Sequence, residues 1–180
     1  YFNKLMVIDD LADRNHQCNF LLDQTFGRQE EDYAQLVPKS CVFFLGSQFA
    51  LLNPEFVKWR QYSIERRICS TFKQLLINMG GVDRNNFTVK ILEELKRCDL
   101  PHDMEIIVVI GGSSPNIESI RAKIDELPYK AIVKVDIDNM FEIIANADIA
   151  IGAAGSTTWE RCCLGLPTIQ IVIAKNQEFS

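Results

Sequence analysis

The stretch Ile149-Ala150-Ile151-Gly152-Ala153-Ala154-Gly155-Ser156-Thr157-Thr158-Trp159-Glu160 decides the fold. Ile149 to Ile151 reads as a short buried strand, the small residues after it clear space, and Thr157 to Leu164 has helix length. Gly165 and Pro167 close that helix. A strand, a small-residue turn and a helix in that order make half of a βαβ unit. Its helix begins at the carboxyl edge of a parallel sheet, where ligands of such sheets bind.

The same alternation continues outward. Strands are expected at Leu5 to Ile8, Phe20 to Leu22, Cys41 to Leu45, Lys73 to Ile77, Ile106 to Ile110, Ala131 to Val135 and Thr168 to Ile173. Helices are expected at Thr88 to Cys98, Ile117 to Glu126 and Asn139 to Asn146. The fold class is therefore α/β, a Rossmann-like parallel sheet with flanking helices. Pro54 to Arg67 is charged, has Trp59 and Tyr62 as its large apolar anchors, and reads as a hinge. Residues 1–62 are then part of one lobe with the hinge, and residues 63–180 a second lobe.

Composition excludes several classes. An apolar fraction of 47% and a charged fraction of 24% suit a folded globular chain. A net charge of -5, with acids and bases interspersed, gives no footprint for nucleic acid. Apolar runs such as Ile106 to Ile110 are far too short for a membrane span. The six cysteines and two histidines lack metal-ligand spacing, so reduced, buried thiols, a cytoplasmic location and no metal or cofactor are expected. The opening at Tyr1 and the stop at Ser180 read as the ends of a fragment.

The loops after the strands hold the candidate site. Gly80 and Gly81 either let backbone approach a ligand or form a tight turn before a helix started by Asp83 or Asn85. Gly111-Gly112-Ser113-Ser114-Pro115-Asn116 repeats that pattern, with Ser114 or Asn116 as alternative helix caps. Asp136-Ile137-Asp138-Asn139-Met140 leads into a helix and is either an ordinary capped helix start or a loop that pairs with a base edge while Ile137 or Met140 packs its face. The helix near Ser156 presents free N–H groups and hydroxyls suited to a diphosphate. Glu160 has two readings: it completes a capping box begun by Thr157, or its carboxylate receives two vicinal ribose hydroxyls. Asn176 and Gln177 either read sugar hydroxyls and acetamido groups or are surface residues.

Gly80-Gly81, Gly152 to Glu160, Gly165-Leu166-Pro167 and Asn176-Gln177 resemble the PseG/SpsG family. Asp9 to Arg14, His16, Cys18, Leu21 to Gln24, Leu45-Gly46 and Phe49 to Phe56 resemble its upstream blocks. The resemblance implies a GT-B-type, MurG-related protein whose C-terminal lobe holds a UDP-sugar. It implies hydrolysis at the anomeric carbon to free sugar and UDP, on the route to pseudaminic acid or a surface polysaccharide. Carried over by motif, Gly80 and Gly81 border the diphosphate or sugar, and Ala154, Gly155, Ser156 and Thr157 bind the diphosphate. Glu160 takes the ribose, and Asn176 and Gln177 face the sugar. The family's Gly-x-Gly-His loop, the source of its catalytic base, has no counterpart in these residues, and His16 belongs to a different motif. A transferase of the same fold, or a binding module without catalysis, uses the same donor lobe.

Overall fold

The structure, a computed structural model, describes residues 3–68, 71–174 and 177. The chain divides into two units, residues 1–52 with 172–180, and Asn53–Ile171.

In the first unit, β1 (Met6–Ile8), β2 (Phe20–Asp23) and β3 (Val42–Leu45) form a parallel sheet in the order β1-β2-β3. Leu21, Cys18, Tyr33, Cys41 and Leu45 make its core. At the carboxyl end of this sheet the fully buried Tyr33 hydroxyl lies 2.9 Å from Asp9 Oδ2 and 2.8 Å from Asp23 Oδ2. Arg14 donates to Asp9 and Arg28 to Asp23, so each buried carboxylate has a cation. His16, with its side chain mostly buried, brings Nε2 to 3.6 Å from Asp9 Oδ1. It lines the inside of this polar cluster and does not lie free on the surface.

The second unit begins with α1 (Pro54–Ile68) and continues β4 (Gln74–Asn78), α2 (Phe87–Leu95), β5 (Glu105–Ile110), α3 (Ile117–Ile124), β6 (Lys130–Val135), α4 (Met140–Asn146), β7 (Ile149–Ala153), α5 (Ser156–Cys163) and β8 (Thr168–Ile171). All five strands are parallel, in the order β6-β5-β4-β7-β8. The chain builds outward from β4 through β5 to β6, then returns to place β7 on the other side of β4. The order therefore switches between β4 and β7, and sheets of this kind bind ligands outside the carboxyl ends of their strands, near such a switch. Strands β4 and β5 are nearly all buried because helices cover both faces, which is why they read as unbroken apolar runs. The core on one face joins Leu76, Ile107, Val109, Ala150 and Leu164 to Ile143 and Ile144 of α4.

The expected hinge is a 15-residue helix, and the unit boundary falls at 52/53 instead of 62/63. The apolar pattern of α1 is thin because polar groups fasten much of it. Ser63 donates to the Leu164 carbonyl (2.7 Å), and Arg67 donates to the carbonyls of Ala147 (2.9 Å) and Ile144 (2.7 Å). Arg66 pairs with Asp148 (2.7 Å), which also receives the amides of Lys73 (2.9 Å) and Gln74 (2.8 Å) and so anchors the entry to β4. Phe56 and Trp59 pack on Phe141, with ring centroids 6.2 and 6.0 Å apart. No helix among the described residues is long and apolar enough to cross a membrane.

Candidate functional site

A cleft of about 300 Å³ opens at the carboxyl ends of β4, β5 and β6 and at the starts of α4 and α5. It is lined by Gly80, Gly81, Ile137, Met140, Thr157 and Glu160, the sequence-predicted residues that the fold brings together, and also by Asn78, Ile110, Gly111 and Asp136. A larger cleft of about 370 Å³ in the first unit is walled by Phe26, Arg28 and Phe49 and holds none of the predicted site residues. The second-unit cleft is the candidate because unsatisfied polar groups converge on it.

Its loops divide the glycines into two kinds. A Cβ on Gly80 or Gly81 would meet nothing within 4 Å, so both border open space. Gly111 and Gly112 instead admit neighbouring loops. The Gly111 amide donates to the Gly81 carbonyl (2.9 Å), and the Gly112 amide to Asp136 Oδ1 (2.6 Å). Ser114 and Asn116 donate to the carbonyls of Val82 and Asp83, tying the loop after β5 to the loop after β4. Asp83 receives the amides of Phe87 and Thr88, both at 2.9 Å, and so satisfies two free donors at the start of α2.

Glu160 is not a capping residue. The helix α5 starts at Ser156 with Gly155 as its N-cap, and Thr158 stands at the third position. Gly155 donates its amide to Thr158 Oγ1 at 3.2 Å, and the Thr158 amide returns to the Gly155 carbonyl at 2.9 Å. The start lies two residues earlier than the Thr-x-x-Glu pattern requires, because Gly155 adopts φ 134, a conformation open to glycine. The Glu160 carboxylate makes no hydrogen bond among the described residues and borders the cleft. Burial pushes its pKa above the usual carboxylate range, with the charge of Arg161 opposing.

Of the other predicted residues, Ala154 is buried behind the turn and Ser156 is exposed. Ala154, Gly155 and Ser156 lead into α5 without lining the cleft. Gln177 Oε1 accepts the Ile173 amide at 2.9 Å, a local turn contact, and Asn176 lies outside the described residues. The thiols differ from expectation: Cys18 and Cys41 are buried, whereas Cys98 and Cys162 are exposed. His102 is exposed. No cluster of three or more potential metal ligands occurs among the described residues.

Two residues that carry no motif also belong to this region. Arg161 is 2% exposed, and its guanidinium donates to the Ala153 carbonyl (2.8 Å) and to Thr157 Oγ1 (3.2 Å). It forms no ion pair among the described residues, its Nε has no partner, and burial pulls its pKa down. Asn78, 8% exposed, donates Nδ2 to the Val109 carbonyl (3.1 Å), which fixes its orientation and leaves Oδ1 a buried acceptor with no partner. Buried groups of this kind are rare enough to signal a missing ligand or water.

Parallel strands, a cleft at their carboxyl ends and a helix start on its wall are the setting in which α/β sheets bind ligands. Residues 41–179 match the model of the glycosyltransferase family 28 C-terminal domain. The chain belongs to that family. Its architecture is that of a GT-B-type lobe, and its relatives place it with a PseG/SpsG/MurG-like group. It is 26% identical over 175 residues to a UDP-2,4-diacetamido-2,4,6-trideoxy-beta-L-altropyranose hydrolase of Campylobacter jejuni, covering 97% of this chain and 60% of that protein. It is 27% identical over 133 residues to the spore coat polysaccharide biosynthesis protein SpsG of Bacillus subtilis, covering 73% and 38%. It is 31% identical over 118 residues to the UDP-N-acetylglucosamine--N-acetylmuramyl-(pentapeptide) pyrophosphoryl-undecaprenol N-acetylglucosamine transferase of Campylobacter fetus, covering 63% and 34%. The chain thus spans between about a third and six tenths of the length of these curated relatives.

Proposed function

We propose that the unit Asn53–Ile171 binds a UDP-sugar in the cleft beneath α5, and that the intact protein hydrolyses it in the cytoplasm to free sugar and UDP. The observation that carries the binding reading is Glu160, a part-buried carboxylate without a hydrogen-bond donor among the described residues, set on the cleft wall next to the start of α5. Two vicinal ribose hydroxyls supply the donors it lacks. The amides at the start of α5 and the Thr157 hydroxyl then face the diphosphate, and Ile137 and Met140 pack the uracil. Gly80 and Gly81 leave room for the diphosphate or sugar.

Hydrolysis is favoured by similarity to the Campylobacter jejuni hydrolase over 97% of the chain, and the reaction belongs to the synthesis of pseudaminic acid or another surface sugar. Water attacks the anomeric carbon, the C–O bond to the diphosphate breaks, and its electron pair leaves with UDP. Charge growing on that leaving group meets the α5 amides and the Thr157 hydroxyl. The water's proton goes to a general base, a part assigned to none of the residues lining this cleft. Transfer of the sugar to an acceptor is the second reading, supported by 31% identity to the Campylobacter fetus transferase. The intact protein incubated with a UDP-sugar and no acceptor separates the two. Free sugar and UDP released in equal amounts support hydrolysis, and UDP-sugar that stays intact until an acceptor is added overturns it.

A further inference from the structure

We infer that Arg161 is a positioning residue: it fixes the Thr157 hydroxyl as a hydrogen-bond donor toward the cleft, which makes the site prefer a phosphorylated nucleoside over the nucleoside alone. This rests on the reading that a nucleoside diphosphate lies against α5.

A threonine hydroxyl has one hydrogen and two lone pairs, whereas a guanidinium has donors only. Because Arg161 Nη1 lies 3.2 Å from Thr157 Oγ1, Thr157 must accept there, and its own hydrogen points elsewhere. No described residue receives that hydrogen, and Thr157 borders the cleft. The neighbouring threonine is used up internally. Thr158 Oγ1 accepts from the Gly155 amide (3.2 Å) and Arg161 Nη2 (3.4 Å) and donates to Gln170 Oε1 (3.0 Å). Two adjacent threonines thus carry opposite duties, one closing the helix start and one offering an outward O–H backed by a buried positive charge. Such a donor gains most from a charged acceptor.

The surroundings fit the same role. Gly152 leaves the space the guanidinium occupies, since a Cβ there would come within 2.9 Å of Arg161 Cζ and closer to Nη1. A buried cation without a carboxylate is costly, and an anion at the start of α5 supplies the counter-charge. Asn78 Oδ1, more than nine-tenths buried and without a partner in the wall of the same cleft, is an independent sign that a ligand completes the site.

Calorimetry on the 180-residue chain with UDP and with uridine tests the inference. Thr157→Val should weaken UDP roughly tenfold or more and leave uridine unchanged, and Thr157→Ser should restore UDP binding. Arg161→Met should lower UDP affinity by a similar factor, and adding Thr157→Val to it should cost little more, because the hydroxyl is already unaligned. If Arg161→Met does not fold, Arg161→Lys takes its place. One ammonium keeps the charge but cannot reproduce the fork that spans Ala153 and Thr157, so the UDP-to-uridine preference should still fall. Losses that multiply independently in the double variant, or UDP and uridine weakening together, would overturn the positioning role alone. A wild-type chain with no affinity for UDP would overturn the nucleotide reading beneath it.

Discussion

Replacing Glu160 with glutamine separates a ligand-binding carboxylate from a structural one, because the two roles predict opposite signs. The Glu160 carboxylate is part-buried with no donor, so ionising it costs the unliganded protein stability, and its raised pKa expresses that cost. A group whose folded pKa is raised loses stability as pH climbs from the unfolded value through the folded one. At neutral pH, Glu160→Gln should therefore leave the unliganded chain at least as stable as the parent, read as a melting temperature equal to or above it. UDP affinity should move the other way. Two charge-assisted hydrogen bonds of roughly 1.5–3 kcal/mol become one neutral contact and one lost acceptor, a drop of at least about tenfold. The assay is thermal melting of the free protein beside calorimetry with UDP and 2′,3′-dideoxy-UDP. The dideoxy ligand should bind weakly to the parent, and the substitution should add little to that loss. Uridine, which has no phosphate to titrate, should lose affinity as pH falls through the raised Glu160 pKa, and Glu160→Gln should flatten that profile. A folded Glu160→Gln protein with unchanged UDP affinity refutes the ribose role.

Gly152→Ala should displace the Arg161 guanidinium, cost about 1–3 kcal/mol in denaturant melts and weaken UDP while sparing uridine. Asp148→Asn should remove about 1.5–3 kcal/mol by loosening Arg66 and the entry to β4. Burial raises the Asp148 carboxyl, but Arg66 and the two amides more than offset it, so its pKa is lowered from 3.8. Its contribution is present above the unfolded value and is lost as pH falls through the lower folded one, so the gap between acid melts of wild type and Asp148→Asn should begin to close only below about pH 4. Asp83→Ala should leave the Phe87 and Thr88 amides unsatisfied and cost ~1–2 kcal/mol, read by urea unfolding. Burial beside Cys18 pushes the Cys41 thiol up to about 11, so at pH 8 Cys98 and Cys162 should react with a thiol reagent well before Cys18 and Cys41.

Every strand was legible in the sequence because each carries a short apolar run between turn residues, and four helices were legible from their spacing. The helix α1 was not, because Ser63, Arg66 and Arg67 hold it through hydrogen bonds that no apolar period reports. The cleft was legible in outline, since Gly80, Gly81, Ile137, Met140, Thr157 and Glu160 do converge. The role of Gly111 and Gly112 was not, because two glycines that admit neighbouring loops look the same in sequence as two that border open space. The register of α5 was ambiguous for a similar reason: Thr157-Thr158-Trp159-Glu160 fits a capping box, but Gly155 caps the helix two residues before Thr157. Arg161 could not be singled out, because an arginine late in an amphipathic helix usually reaches solvent. Only the gap at Gly152 turns this one inward.

The route of the chain through the second unit also sets an order of assembly. Strands β4, β5 and β6 come from one contiguous stretch, whereas α1 waits for partners 82 and 101 residues away at Asp148 and Leu164. Closing those long loops is the slow, entropy-limited step, so a β4–β5–β6 platform with α2 and α3 is expected to form before β7 and α5 dock. The wall of the cleft that Thr157 and Glu160 form exists only once that docking is complete. UDP added during refolding should therefore leave the folding rate unchanged and slow unfolding instead, acting as a latch on the last piece to arrive.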